Sequence, residues 1–171
     1  MDHMLVRGIN YFVPHAFSPK PNDTDCPPNF YDTGRNPQYR FFKNNMDYMN
    51  RMSYMLNDGK HISTCAILYD AESRWINRKF LPLEKVAKVL YDNLYDYDII
   101  PADYLDKIEN GVLNDEKYNL LIVPYSEAIP EDVLNKLKAA DVKIVMVSEE
   151  KCDCPFENVT LCRLADYMKE N

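Results

Sequence analysis

A chain of 171 residues suffices for one ordinary domain, or for one domain and part of another, and its 46% hydrophobic and 27% charged residues are the makeup of a globular protein rather than a disordered or fibrous one. A formal charge of −7 and a sequence pI near 5.0 provide no basic surface for a phosphate backbone or an anionic bilayer, which argues against nucleic acid and membrane as partners. The opening MDHML has no basic stretch leading into an apolar core, no apolar run approaches a membrane span, and five cysteines, an odd number, fit reduced thiols better than a disulfide framework; the expected location is cytoplasmic.

Residues 5–13 (LVRGINYFV) are apolar and β-prone and predict a strand, which Pro14 ends because it has no N–H to donate. From His15 to Pro37 the prolines at 19, 21, 27, 28 and 37, mixed with Asn and Asp, leave no amphipathic period, so this stretch is a long loop. Its aromatic residues Phe17, Phe30 and Tyr31 suit a loop that covers something. Asn36-Pro37 is a good helix start, and Phe42, Met46, Met49, Ser53 and Leu56 follow at helical spacing, predicting a helix over 37–57 closed by a left-handed Gly59. A lone strand, loop and helix cannot close a core, so residues 1–60 are expected to be an incomplete unit that packs on something else.

The chain then alternates. Strands are expected at 62–69, 97–100, 119–124 and 143–147, and helices at 83–95 and 131–140, with a short helix at 164–168. Unbroken apolar strands are buried on both faces, which implies a parallel sheet with helices on each side. Residues 61–171 are therefore expected to form an α/β domain with an open, parallel, flavodoxin-like sheet, Cys65 being a free buried thiol within its first strand.

Ligands of such sheets bind beyond the C-terminal strand ends, which points to the loop Tyr69-Asp70-Ala71-Glu72-Ser73-Arg74-Trp75. It has no glycine to admit a phosphate, so no nucleotide or dinucleotide cofactor is expected. Glu72 and Trp75, with Arg74, suit a polar uncharged ligand such as a sugar; the plainer reading is a solvated Glu72 and a Trp75 that caps the sheet. No Gly-x-Cys-x-Gly or Gly-x-Ser-x-Gly elbow occurs, and His3, His15 and His61 all precede the sheet. Cys152, Cys154 and Cys162 lack a fourth ligand, so no metal is expected. His15, with Asn10 and Arg7, closes the first strand, an address that in a β/α barrel is the catalytic face; there Asn10 and His15 are suited to donate hydrogen bonds to sugar hydroxyls. The plainer reading makes His15 a structural hydrogen-bond partner.

The segments RGINYFVPHAFSP, DCPPNFYDTGRNPQYRFF and YDYDIIPADYL resemble large bacterial glycoside hydrolases of the α-L-rhamnosidase-like and β-galactosidase-like kind. The resemblance implies that residues 5–56 are the last strand, loop and helix of a catalytic β/α barrel. It implies also that 62–171 are most of a following domain related to class I glutamine amidotransferases but lacking the nucleophile. Glycoside hydrolysis needs two carboxylates, and in that family they come from earlier barrel strands. Asp23, Asp25, Glu72 and Asp103 remain secondary candidates. The expected function is that of a fragment of a glycoside hydrolase, making substrate-side contacts to a carbohydrate through Asn10, His15, Glu72 and Trp75 without catalysing alone. Its expected partners are the remainder of a barrel or another protein chain, with homo-oligomers possible through the apolar face of helix 37–57. The alternative is a non-catalytic flavodoxin-like binding or assembly module.

Overall fold

The computed structural model describes residues 1–18, 20, 23–24, 29–69, 71–76, 78–149 and 160–163, the last four by backbone alone. The chain divides into two units, Met1–His61 and Ile62–Asn171.

In the first unit the expected strand is replaced by a helical turn, α1 (Asp2–Leu5), followed by residues without regular structure. Gly8 is the cause. At φ +88° it lets the Gly8 and Ile9 N–H groups fold back onto the Leu5 and Met4 carbonyls, a left-handed stop that an extended run cannot contain. Beyond it, burial alternates from residue 9 to 13: Ile9, Tyr11 and Val13 are exposed, while Asn10 and Phe12 are partly covered. None of Tyr11, Phe12, Val13 or His15 donates its backbone N–H within the described residues, so the β-prone sequence has no ladder to join. The His15–Ala16 peptide is cis.

The expected helix begins as a 3-10 turn, Tyr39–Phe41, and continues as α2 (Phe42–Asn57). Asn36 is the expected cap, but the cap position is Gln38, which makes no side-chain cap bond; Asn36 Oδ1 instead accepts the Gln38 N–H at 2.9 Å in the turn before it. Phe42, Met46, Met49 and Ser53 form the covered stripe, whereas Leu56 is exposed. Gly59 is not left-handed, and α2 ends at Asp58 with φ −102°.

The second unit carries the expected parallel sheet. Strands β1 (Cys65–Leu68), β2 (Asp98–Ile100), β5 (Leu120–Pro124), β6 (Ile144–Ser148) and β7 (Thr160–Arg163) lie in the order β2-β1-β5-β6-β7, every neighbouring pair parallel. Ranked by position in the sheet, this is the flavodoxin-like order 2-1-3-4-5. A small hairpin, β3 (Val112–Leu113) with β4 (Glu116–Lys117), interrupts the passage from β2 to β5. Because strand side chains alternate, one sheet makes two cores. Ala66, Leu68, Leu121, Val123 and Met146 face the 3-10 helix Ala102–Lys107 and α5 (Glu131–Ala139), with Leu105, Val133 and Leu137 packed between. Cys65, Ile67, Ile122, Val145 and Val147 face α4 (Leu83–Asp92) through Val86, Ala87 and Leu90.

Within the segment 69–75 expected as a loop, residues 71–75 belong to a short helix, α3 (Ala71–Ile76). Six residues are too few to show a helical period, yet they hold no Gly or Pro to break one. Helix 164–168 lies outside the described residues, as do Cys152 and Cys154. Cys65 is a free buried thiol whose Sγ–H points at the Asp96 carbonyl, 3.3 Å away. Burial, then the Asp96 and Asp98 charges, push its pKa up to about 11.

Candidate functional site

Two places in the fold gather chemistry, one in each unit. In the first, the loop before α2 is organised by Asn29. Its Oδ1 accepts three backbone N–H groups, from Ser18 at 3.3 Å, Tyr31 at 3.2 Å and Asp32 at 3.1 Å. Its own carbonyl accepts from Asn36 Nδ2 at 3.0 Å, which ties the loop to the helix start. Three donors converging on one oxygen fix the amide orientation and leave Nδ2 buried with no partner among the described residues. After Asn29 the backbone turns left-handed at Asp32, Thr33 and Gly34, with φ of 46°, 51° and 81°, a conformation that β-branched Thr33 resists. Ser18 is buried and donates its Oγ–H to Asp23 at 2.7 Å.

Around this hub the aromatic residues of the loop and helix collect. Phe17 and Tyr31 stack with ring centroids 5.0 Å apart and planes 13° from parallel. Tyr39 meets Tyr31 edge-on at 4.9 Å, and Phe42 lies within contact range of Phe17, Phe30 and Tyr39. Phe17 nonetheless remains 52% exposed. His15, two residues before it, is exposed, whereas Asn10 is partly covered and spends its amide on the Leu56 carbonyl at 3.3 Å. Asn10 thus fastens the 9–13 segment to the end of α2, and His15 is the freer of the two expected contact residues.

In the second unit the strand order reverses between β1 and β5, where open sheets place ligands. Leu68, Tyr69, Glu72, Ser73, Pro124 and Val133 line a small, partly open cleft there. α3 narrows it by bringing Glu72 and Ser73 over the strand ends. Trp75, on the far end of the same helix, is 80% exposed. Arg74 is committed to Glu84, at 2.5 Å, and to the Phe80 ring face, 5.7 Å from its centroid.

Of the secondary carboxylates, Asp23 accepts from Ser18, Glu72 lines the cleft, and Asp103 faces Lys136 at 3.8 Å from the 3-10 helix. Asp25 lies outside the described residues. Among those described, no group of three or more His, Cys, Asp or Glu side chains is arranged to hold a metal ion. Sequence reasoning passed over Asn29. Its signal was a single Asn before two aromatics in a proline-rich loop, and nothing in spacing reveals that three amides converge on it.

The second unit is an open, doubly wound parallel sheet of the flavodoxin-like kind. The alpha-L-rhamnosidase family, glycoside hydrolase family 106, matches residues 1–152, spanning both units, and the chain belongs to that family. It is also 26% identical over 184 aligned residues to a protein of Formosa agariphila named "Putative beta-glucuronidase", an alignment that takes in 98% of this chain but 15% of the relative. The chain therefore spans about a seventh of that relative's length. No solved structure matches.

Proposed function

We propose that this chain serves as one part of a carbohydrate-active glycoside hydrolase, supplying structural and substrate-side contacts without being a complete catalyst. The observation that carries this reading is the family match over both units in a chain that covers so little of its long relative. The chemistry agrees: two carboxylates must flank a scissile glycosidic bond, and Asp23 and Asp103 are each committed to other partners.

On this reading, residues 1–60 are the last strand, loop and helix of a β/α barrel. The alternating burial over 9–13 is that of a strand with one side on its helix, and the unpaired N–H groups await neighbouring strands. His15 then stands at the C-terminal end of the strand, where barrel enzymes hold their substrates, with Asn10 positioning the strand behind it. The following unit is related to the class I glutamine amidotransferase fold, and Glu72 and Trp75 are its substrate-side contacts. No helix among the described residues is long and apolar enough to cross a membrane; the proposed location is cytoplasmic.

The small cleft at the strand-order reversal favours a second reading, in which the sheet unit is a non-catalytic flavodoxin-like binding or assembly module. One experiment separates them: hydrolysis of aryl α-L-rhamnoside, β-glucuronide and β-galactoside by the chain alone and after mixing with the remainder of a family barrel. Turnover only in the mixture supports the glycosidase part. Silence in both, with the chain folded, favours the module.

A further inference from the structure

An exposed phenylalanine ordinarily samples several rotamers over a flexible loop; Phe17 is held from both sides. The Ala16 carbonyl before it accepts the Phe30 N–H at 3.0 Å, and the Ser18 N–H after it donates to Asn29 Oδ1 at 3.3 Å. The residues on either side are buried, Ala16 at 6% exposure and Ser18 at 8%, so the backbone at position 17 is pinned while its ring is pushed outward. One face of that ring lies on Tyr31, at 5.0 Å and 13°. Tyr39 and Phe42 brace it at 5.9 and 6.2 Å. Tyr31 is pinned by the same amide, its N–H going to Asn29 Oδ1 at 3.2 Å. A pinned aromatic residue that stacks on Tyr31 yet keeps about half its surface in water forgoes hydrophobic burial, which a ligand covering it would recover.

We propose that the stacked pair Phe17 and Tyr31 is a platform for the apolar C–H face of a pyranoside, with Asn29 as the positioning residue that presents it. The proposal takes the ligand's chemical class from the glycosidase reading above and adds to it the residues that receive the sugar ring. A pyranose shows a band of C–H groups on one face and hydroxyls at its rim, so it covers an aromatic ring while keeping its polar groups wet. His15, exposed two residues earlier, lies in chain reach of that rim. Hydrophobic burial and stacking require no charge, so a neutral deoxyhexoside and a uronoside share the chemistry that the platform recognises.

The test is saturation-transfer NMR on the full chain with methyl α-L-rhamnopyranoside and with methyl β-D-glucuronide, run on the native protein and on Phe17→Ala, Phe17→Leu, Phe17→Tyr and Asn29→Ala. Saturation concentrated on the ring C–H protons of one face is expected. Affinity should fall about tenfold in Phe17→Ala and Phe17→Leu, hold within about twofold in Phe17→Tyr, and fall in Asn29→Ala, magnitudes set by one lost aromatic contact. Leucine keeps apolar volume without a ring face, so its loss separates stacking from folding, which far-UV circular dichroism monitors in parallel. Either sugar bound in this way supports the platform. It is overturned if neither sugar takes up saturation on the folded chain, or if Phe17→Leu binds as the native chain does. Sugar binding that depends on Phe17 without glycosidase turnover in any mixture would count against the glycosidase reading alone. Turnover that ignores Phe17→Leu would count against the platform alone.

Discussion

In the second unit each face of the sheet is closed by the unit's own helices: Ile67, Leu105, Val86 and Met146 are fully buried, and the two cores lie on opposite faces of the sheet with Tyr125 packed against both. In the first unit α2 buries Met49 alone, and the large apolar residues Tyr11, Val13, Tyr54 and Met55 are each more than 70% exposed. One unit spends its apolar residues on itself, and the other displays them. A sequence of similar hydrophobicity can thus encode either a closed core or a docking surface, depending on whether its periodic elements have neighbours to meet.

Ile67→Ala should give the largest effect, about 2–5 kcal/mol lost from the sheet unit, because the β1 side chain is fully buried and its cavity cannot collapse between β2 and β5. Urea unfolding followed by circular dichroism measures it; a loss below about 1 kcal/mol would mean that the unit is loosely packed and that the contrast between the two is false. Gly111→Ala comes next at about 2–3 kcal/mol, since a Cβ there would lie 2.7 Å from the Tyr118 carbonyl oxygen and the backbone sits at φ +74°. The same unfolding assay reads it, and wild-type stability would show that the hairpin yields without strain.

A pH titration sharpens the contrast through Cys65. Its pKa, raised from about 9 to about 11 in the fold, means that the folded chain holds the thiol proton more tightly than the unfolded chain does. The stabilisation is therefore complete below about pH 9 and lost as pH climbs through 11. The unfolding midpoint should drop across that window, and Cys65→Ala should flatten part of the drop; an unchanged slope would remove the thiol as its source.

Leu94→Gly should stabilise by about 0.5–1 kcal/mol. Leu94 ends α4 at φ +62°, with the Tyr95 N–H returning to the Leu90 carbonyl, yet the side chain is 95% exposed and loses no packing. A lower melting temperature in this variant would mean that the leucine is covered in solution. Smallest of all, Val13→Ser in the isolated chain should change stability by less than about 0.5 kcal/mol, since the residue is 80% exposed. A larger loss would show that the first unit buries this face after all, and would end the comparison.

The sheet unit was legible because β1, β5 and β6 are buried on both faces and their apolar runs needed no partner to be recognised. α3 and the hairpin were not, since six residues and two-residue strands are too short for a period. In the first unit the helix was readable from its periodic apolar residues, although it starts two residues later than the Asn36-Pro37 signal placed it. The strand expected over 5–13 does not form in this chain, because a β-prone run makes a strand only when other strands supply its ladder and because Gly8 diverts the chain first. His15 and Asn10 were located by position along the chain. The convergence on Asn29 was beyond reach of the sequence, as it depends on a backbone turn that brings Ser18, Tyr31 and Asp32 to one oxygen.

Pro14, which follows the open segment directly, also bears on how such a chain survives synthesis. An apolar, uncharged stretch with open N–H groups can template intermolecular β-pairing, and residues 11–13, whose N–H groups make no backbone bond among the described residues, are a short piece of that kind. A proline at its edge offers no N–H and is the kind of residue that interrupts such pairing. The residue that ends the apolar run in the sequence thus also limits how far such pairing can extend along it.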